Sequence, residues 1–190
     1  MEMTGERRIP ASRQAVWDAL NDPEILKQCI AGCEELEKTS DTAFSAKVTS
    51  KVGPVTAKFT GKVELSDVDA PNGYTISGEG QGGVAGFAKG GAKVRLADDG
   101  DGTLLTYEAT GTVGGKLAQI GSRLIDSTAR KMADDFFDKF AEAVGGAAEE
   151  PAEEPPEAPA PPAKSEGLSP AVWIGGLVAI AVIVLVIVLS

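Results

Sequence analysis

The stretch Val55-Thr-Ala-Lys-Phe-Thr-Gly-Lys-Val-Glu-Leu65 alternates strictly, with Val55, Ala57, Phe59, Gly61, Val63 and Leu65 in one set and Thr56, Lys58, Thr60, Lys62 and Glu64 in the other. Successive side chains of a strand point to opposite sheet faces, so this pattern predicts a strand with one apolar face and one wet face. The same alternation precedes it in Ala43–Val52, where Phe44, Ala46, Val48, Ser50 and Val52 are set against Ser45, Lys47, Thr49 and Lys51. Beyond it, Tyr74, Ile76, Gly78 and Gly80 alternate with Thr75, Ser77 and Glu79. Further on, Leu105, Tyr107, Ala109, Gly111 and Val113 alternate with Leu104, Thr106, Glu108, Thr110 and Thr112. Turn chemistry separates the segments at Gly53-Pro54, Ala70-Pro71-Asn72-Gly73 and Asp98-Asp99-Gly100-Asp101-Gly102. Six such segments after residue 32 predict an antiparallel meander.

A half-wet sheet must cover its apolar face. Lys116–Val144 reads as one long helix, with Ile125, Ala129, Met132, Phe136 and Phe140 recurring at helical spacing and Arg130, Lys131, Asp134 and Asp138 elsewhere. It is the only element large enough to serve as the cover. Two short helices are expected before the meander: Ser12 is placed to cap Arg13–Leu20, and Asp22-Pro23 to cap and open Glu24–Cys29. A first strand precedes them. The fold class is therefore α+β: strand, two short helices, about six strands, one long helix.

The inward set is small. Ala46, Ala57, Gly61, Gly78, Gly80, Gly82, Ala109 and Gly111 all fall on it, and the strand near Ala85–Leu96 adds Gly86, Ala88, Gly90 and Ala92. Such a lining either lets the helix approach closely or leaves an apolar hollow of the kind that takes small ligands. Periodicity alone leaves both open.

After residue 145 the composition changes. Residues 146–169 are mostly Ala, Glu and Pro and cannot bury a core, so they are expected to form a flexible linker reaching about 70 Å if extended. Residues 170–190 hold an uncharged 19-residue run, Ala171–Leu189, which as a helix spans about 28 Å, close to a bilayer's hydrocarbon core. Trp173 falls where an interfacial aromatic belongs. A single-pass C-terminal transmembrane anchor is expected. The N-terminal Met1-Glu-Met-Thr-Gly-Glu-Arg-Arg8 has no apolar signal core, so the domain, residues 1–145, is expected to face the cytoplasm from the inner membrane.

Charge and composition exclude several function classes. The net charge is −10, and residues 146–169 carry half of it, with one lysine against six glutamates. No basic face with aromatic readers suggests nucleic-acid binding. Histidine is absent, which removes the commonest general base and metal ligand near neutral pH. Cys29 and Cys33 have no further strong ligands nearby to complete a zinc site and are expected to be reduced, partly buried thiols. Gly78-Glu-Gly80-Gln-Gly-Gly83 matches a dinucleotide-binding glycine pattern, but a strand follows where the pyrophosphate needs a helix N-terminus. Lys47, Lys51, Lys58 and Lys62 share the wet face of two neighbouring strands, as a solvated surface or as a docking patch for an acidic partner or headgroups. No nucleophile–base pair or isolated pair of carboxylates is visible, so no catalytic residue is expected.

The order of elements resembles the helix-grip fold of the START-like (SRPBCC) superfamily, an antiparallel sheet wrapped on a long C-terminal helix. Several stretches resemble the carbon monoxide dehydrogenase G-subunit (CoxG) family: Cys29-Ile-Ala-Gly-Cys-Glu34, Gly53-Pro-Val-Thr-Ala-Lys-Phe-Thr-Gly-Lys-Val-Glu-Leu-Ser66, Gly86-Phe-Ala-Lys-Gly90 and Val113-Gly-Gly-Lys-Leu-Ala-Gln-Ile-Gly-Ser-Arg-Leu-Ile-Asp126. Lys131-Met-Ala-Asp134 and Phe136-Phe137 add to them. Ala31 stands where the family usually has proline, and Gly91 where serine is common. The resemblance implies a non-catalytic accessory of a molybdenum hydroxylase of the carbon monoxide dehydrogenase type, bringing it to the cytoplasmic membrane and coupling it to the quinone pool. On that basis the expected ligand is a quinone or similar isoprenoid lipid, held without covalent attachment. Its expected lining is Trp17, Phe44, Phe59, Phe87, Tyr107, Leu117, Ile120 and Leu124, although Phe87 shares its parity with Lys89 and Lys93 and is equally suited to a rim. The competing expectations are a ligand-free recruitment scaffold and a cyclase-like enzyme, the latter needing buried acid and base groups that the alternation does not supply.

Overall fold

The structure, a computed structural model, describes residues 1–145. The expected linker, 146–169, and membrane span, 170–190, lie outside the described residues. Among the described residues no helix is long and apolar enough to cross a membrane.

Strand β1 (Glu2–Ile9) leads into helices α1 (Arg13–Ala19) and α2 (Pro23–Cys29). Strands β2 (Cys33–Ser40), β3 (Ala43–Val52), β4 (Val55–Asp69), β5 (Gly73–Gln81), β6 (Phe87–Asp99) and β7 (Gly102–Gly114) follow, and α3 (Ser122–Gly145) closes the domain. The strands form one antiparallel sheet in the order β1-β7-β6-β5-β4-β3-β2, so the last strand brings the chain back beside the first. The fold is α+β, as the alternation predicts.

The short helices begin where their caps require. Ser12 Oγ accepts from the Ala15 N–H at 3.3 Å, and an Asp22 carboxylate oxygen accepts from Glu24 N–H at 2.8 Å with Pro23 opening the first turn. Two expected boundaries shift. The long helix does not start at Lys116: Leu117–Ile120 is a 3-10 turn, and Gly121, at φ 98°, breaks the helical path before α3 begins at Ser122. The strand expected near Ala85 starts at Phe87, because Gly83–Ala85 forms a separate 3-10 turn.

The core lies between the apolar sheet face and α3, which buries Ile125, Ala129, Ala133, Phe136, Phe137, Phe140 and Val144. Among the described residues the buried polar side chains are Asn21, Ser50 and Thr103. The Thr103 hydroxyl donates to Ala11 O at 2.7 Å, and the Asn21 amide donates to Trp17 O. No carboxylate joins them, so the buried acid that a cyclase would need is not among the described residues.

Antiparallel pairing sorts the connections into two ends. The β3–β4, β5–β6 and β7–α3 connections lie at one. The β2–β3, β4–β5 and β6–β7 turns lie at the other, where α3 also finishes with Gly145 beside Pro10.

Candidate functional site

Strand register turns the scattered small residues of the sequence into a continuous band. Gly78, Gly90 and Gly111 stand directly opposite one another across β5, β6 and β7. The next inward row towards the β3–β4 end reads Ala46, Gly61, Gly80, Ala88, and the row on the other side places Ile76 beside Ala92 and Ala109. Across the middle of the inner face, then, four neighbouring strands contribute almost no side-chain volume.

The eight expected lining residues do not form one wall. Phe44 and Phe59 are buried on the inner faces of β3 and β4, with Phe59 packed over Gly82. Leu117 is buried in the 3-10 turn before α3. Ile120 and Leu124 come together over Gly53 of the β3–β4 turn, where Leu124 is 41% exposed. Trp17 lies towards the opposite end, edge-on to Tyr74 at 5.5 Å. Tyr107 is buried and stacks on Phe137 of α3 at 5.3 Å, and burial holds its phenol above the ordinary value against opposing pulls from Arg7 and Arg130. Phe87 points outward with Lys89, is 40% exposed and packs over Gly114, so it occupies the rim.

The rim also contains a residue that sequence reasoning passes over. Val84, in Gly82-Gly-Val-Ala-Gly86, is 85% exposed. Its signal was present: a valine between glycines at a strand's end is better placed in a turn than in a ladder. Gly86 has φ 114° and its Cα faces Gly115 so closely that a Cβ on either would collide with the other's backbone. The β5–β6 and β7–α3 connections are locked together at that point.

Among the described residues, four of the surface hollows open away from the face beneath α3. One of about 720 Å³ runs along the outer sheet face between Lys62, Glu64, Ser77, Glu79, Lys89 and Thr112, and the glycine row Gly78, Gly90 and Gly111 also borders it from that side. Another, of about 960 Å³, sits at the far end between α1, α2 and the end of α3, against Ala15, Ala19, Ile25 and Val144, with Asp22 and Asp101 at its edge. Smaller hollows of about 170 and 440 Å³ lie beside β6 and β7, the first touching Tyr107. None of the four is lined by the other seven expected residues.

The outer lysine row is partly neutralised. Lys47 pairs with Glu35 at 2.5 Å and Lys58 with Glu34 at 2.6 Å, and the Lys58 hydrogen bond holds the Glu34 carboxyl below its ordinary value. Lys51 and Lys62 have no ion-pair partner among the described residues. Burial pushes the Cys29 thiol up to about 11 against a pull from Lys139, and burial also raises Cys33 against Lys27, so both are poor thiolates near neutral pH. Both are free, and among the described residues no group of three His, Cys, Asp or Glu could hold a metal ion.

The arrangement can be set beside known proteins. A conserved protein from Geobacillus kaustophilus is 30% identical with a TM-score of 0.73, the match covering 77% of this chain and 97% of that one. A protein from Thermus thermophilus matches at 17% identity and TM-score 0.59 over 78% and 99% of the two chains. One from Chromobacterium violaceum matches at 12% and 0.57 over 76% and 98%. At those lower identities the likeness is one of fold, the same helix-grip-like sheet and closing helix. Among curated proteins, none matches this chain. The family model for the carbon monoxide dehydrogenase G-subunit (CoxG) spans residues 5–145, nearly the whole described domain. This chain belongs to the CoxG family.

Proposed function

We propose that this protein is a non-catalytic accessory of a molybdenum hydroxylase of the carbon monoxide dehydrogenase type, held at the cytoplasmic face of the membrane and binding a quinone or related isoprenoid lipid beneath α3. The dehydrogenase partner follows from the family's name. The membrane half rests on the sequence of 146–190, a Pro/Glu-rich reach followed by an uncharged run of membrane-spanning length. The ligand half is carried by one observation, the glycine row Gly78–Gly90–Gly111 set beside the Gly61–Gly80–Ala88 row. A flat isoprenoid ring or tail needs apolar space without polar penalties, and a band of glycine and alanine flanked by Phe44, Phe59 and Leu117 offers that chemistry. No group of the protein needs to react with the ligand.

A ligand-free scaffold is favoured by a different observation. Tyr107 stacks on Phe137 and Trp17 lies edge-on to Tyr74, so two of the expected wall residues are already packed against aromatic partners outside the expected lining. Organic extraction of the purified full-length protein, followed by mass spectrometry, separates the two readings. The carrier reading expects a quinone in the extract and its loss in Gly111→Phe, with capture of the dehydrogenase retained. An empty wild-type protein that still captures the dehydrogenase leaves the scaffold.

A further inference from the structure

At the end of the domain formed by the β3–β4, β5–β6 and β7–α3 connections, apolar exposure and positive charge coincide. Of the four large apolar side chains that stand exposed among the described residues, three are here: Val84, Phe87 and Leu124. Residues 48–60, 81–87 and 114–125, three segments at this end, include Lys51, Lys58, Lys116 and Arg123 and no Asp or Glu, while the α2–β2 connection that also reaches it brings the acid Glu34. All four cations are exposed. Lys58 is held by Glu34, whereas Lys51, Lys116 and Arg123 have no ion-pair partner among the described residues. Asp126, further along α3, is the one acid that adjoins the set on that element. In a protein of net charge −10 this local excess needs a reason.

The opposite end supplies the contrast. Its turns at 67–73 and 97–101 hold Asp67, Asp69, Asp98, Asp99 and Asp101 and no Lys or Arg. An acidic protein surface would be met by a basic patch, but it would not by itself call for a valine left 85% exposed on a glycine-flanked tip. Apolar tips ringed by Lys and Arg suit a bilayer surface: the side chains sink into the interfacial layer while the cations stay at the anionic headgroups.

We infer that this end docks on anionic lipid, inserting Val84, Phe87 and Leu124 between headgroups with Lys51, Lys116 and Arg123 around them. Such docking rests on the membrane half of the function proposed above and not on an interior ligand. It is compatible with where the described chain ends. Gly145 lies at the acidic end, about 36 Å from the start of the 24-residue α3, and the 24 residues of 146–169 can reach about 70 Å, enough to let the basic end turn to the same bilayer. It also places the β3–β4 turn, where Ile120 and Leu124 cover Gly53, against the layer from which an apolar ligand would come.

The test is hydrogen exchange on the full-length protein with quinone-free nanodiscs, either pure phosphatidylcholine or mixed with phosphatidylglycerol. Docking expects slowed exchange in 82–87 and 115–124 with the anionic discs only, unchanged exchange in 67–73 and 98–101, and reversal at high salt. Each cation near an anionic surface contributes about fivefold, so the triple variant Lys51→Glu, Lys116→Glu, Arg123→Glu should lower the docked-to-free ratio by at least about a hundredfold. Core-strand exchange identical to wild type shows that the variant is folded, and Lys116→Gln alone is the milder check, at about fivefold. Equal exchange in both disc types overturns the docking inference, as does protection that appears only when the dehydrogenase is added. A protein that neither disc retains overturns docking and anchor together. Retention by both discs with unprotected loops keeps the anchor and overturns docking.

Discussion

The two ends of this domain are made by the same strands yet differ in almost every surface property. Turns β2–β3, β4–β5 and β6–β7 carry aspartates, and their charges are partly met from within: Arg8 binds Asp99 and Asp101 at 2.8 and 2.6 Å, and Arg13 reaches Asp98 at 3.2 Å. The connections at the other end carry lysine, arginine and exposed apolar side chains, and the cations there are mostly unmatched. Because an antiparallel meander assigns alternate turns to opposite ends, a chain can sort charge along its length by turn parity without altering the sheet between them. Packing follows the same division. At the acidic end the last turns of α3 bury Phe136, Phe140 and Val144, while at the basic end its first turn leaves Leu124 41% exposed.

The largest effects should therefore come from the acidic half of α3. Phe140 is fully buried and stacked on Phe136 at 5.7 Å, so Phe140→Ala should cost about 3–4 kcal/mol in chemical unfolding, transfer and cavity together. Leu124→Ala should cost less than about 1 kcal/mol, since much of that side chain never leaves water. Equal costs at the two positions would erase the division between a packed end and an open one.

How much of this was legible in the sequence depends on what period 2 can and cannot carry. Alternation in Val55–Leu65 and its neighbours fixes which residues face inward, and Ser12 and Asp22 mark helix starts because their side chains must reach unpaired N–H groups. The sheet and its cover follow. Alternation says nothing about register, so the direct opposition of Gly78, Gly90 and Gly111 had to come from the pairing of strands. It also cannot place a residue along a sheet's length. Trp17 and Leu117 look equivalent as apolar residues, but one lies against Tyr74 and the other is buried from within the β7–α3 connection at the opposite end. The site set was thus divided by geometry that no single strand encodes. Gly121 is the remaining case: in a helical pattern it reads as a tolerated residue, whereas its φ of 98° makes it the break.

Within the basic end, the β5–β6 loop offers a sharper contrast. Gly86→Ala places a Cβ against the Gly114 carbonyl in a backbone conformation that L side chains resist, and should destabilise by about 2 kcal/mol or more. Val84→Ala, two residues away and 85% exposed, should stay within about 0.5 kcal/mol of wild type. A loop that tolerates loss of its valine without loss of stability keeps that valine for contact with something else. If Val84→Ala proved costly instead, the exposed tip would be structural.

Cys29, at the end of the helix that joins the two ends, gives a pH-dependent test. Its thiol titrates near 9.0 when free and at about 11 in the fold, because burial disfavours the thiolate. The unfolded chain thus holds fewer protons across that interval, so the Cys29 share of stability is whole below pH 9 and is lost as pH rises towards about 11. Unfolding midpoints across that range should fall more steeply in wild type than in Cys29→Val. Parallel curves would mean that water reaches the thiol.

The smallest effect is expected at the acidic surface. Arg8 is exposed and joins β1 to the β6–β7 turn through Asp101 and Asp99, whose hydrogen bonds, Asp101 foremost, hold its guanidinium above the ordinary value. Exposed pairs of this kind are screened by salt, so Arg8→Gln should shift the unfolding midpoint slightly at low ionic strength and not at all at high. What it does change is charge balance, since two carboxylates at the acidic end lose their partner. Loop protection by anionic nanodiscs should nonetheless remain as in wild type, because the freed carboxylates lie at the end that faces away from the lipid. Were Arg8→Gln to weaken that protection as strongly as Lys116→Gln, net charge rather than its placement would govern docking, and the two ends would cease to be functionally distinct.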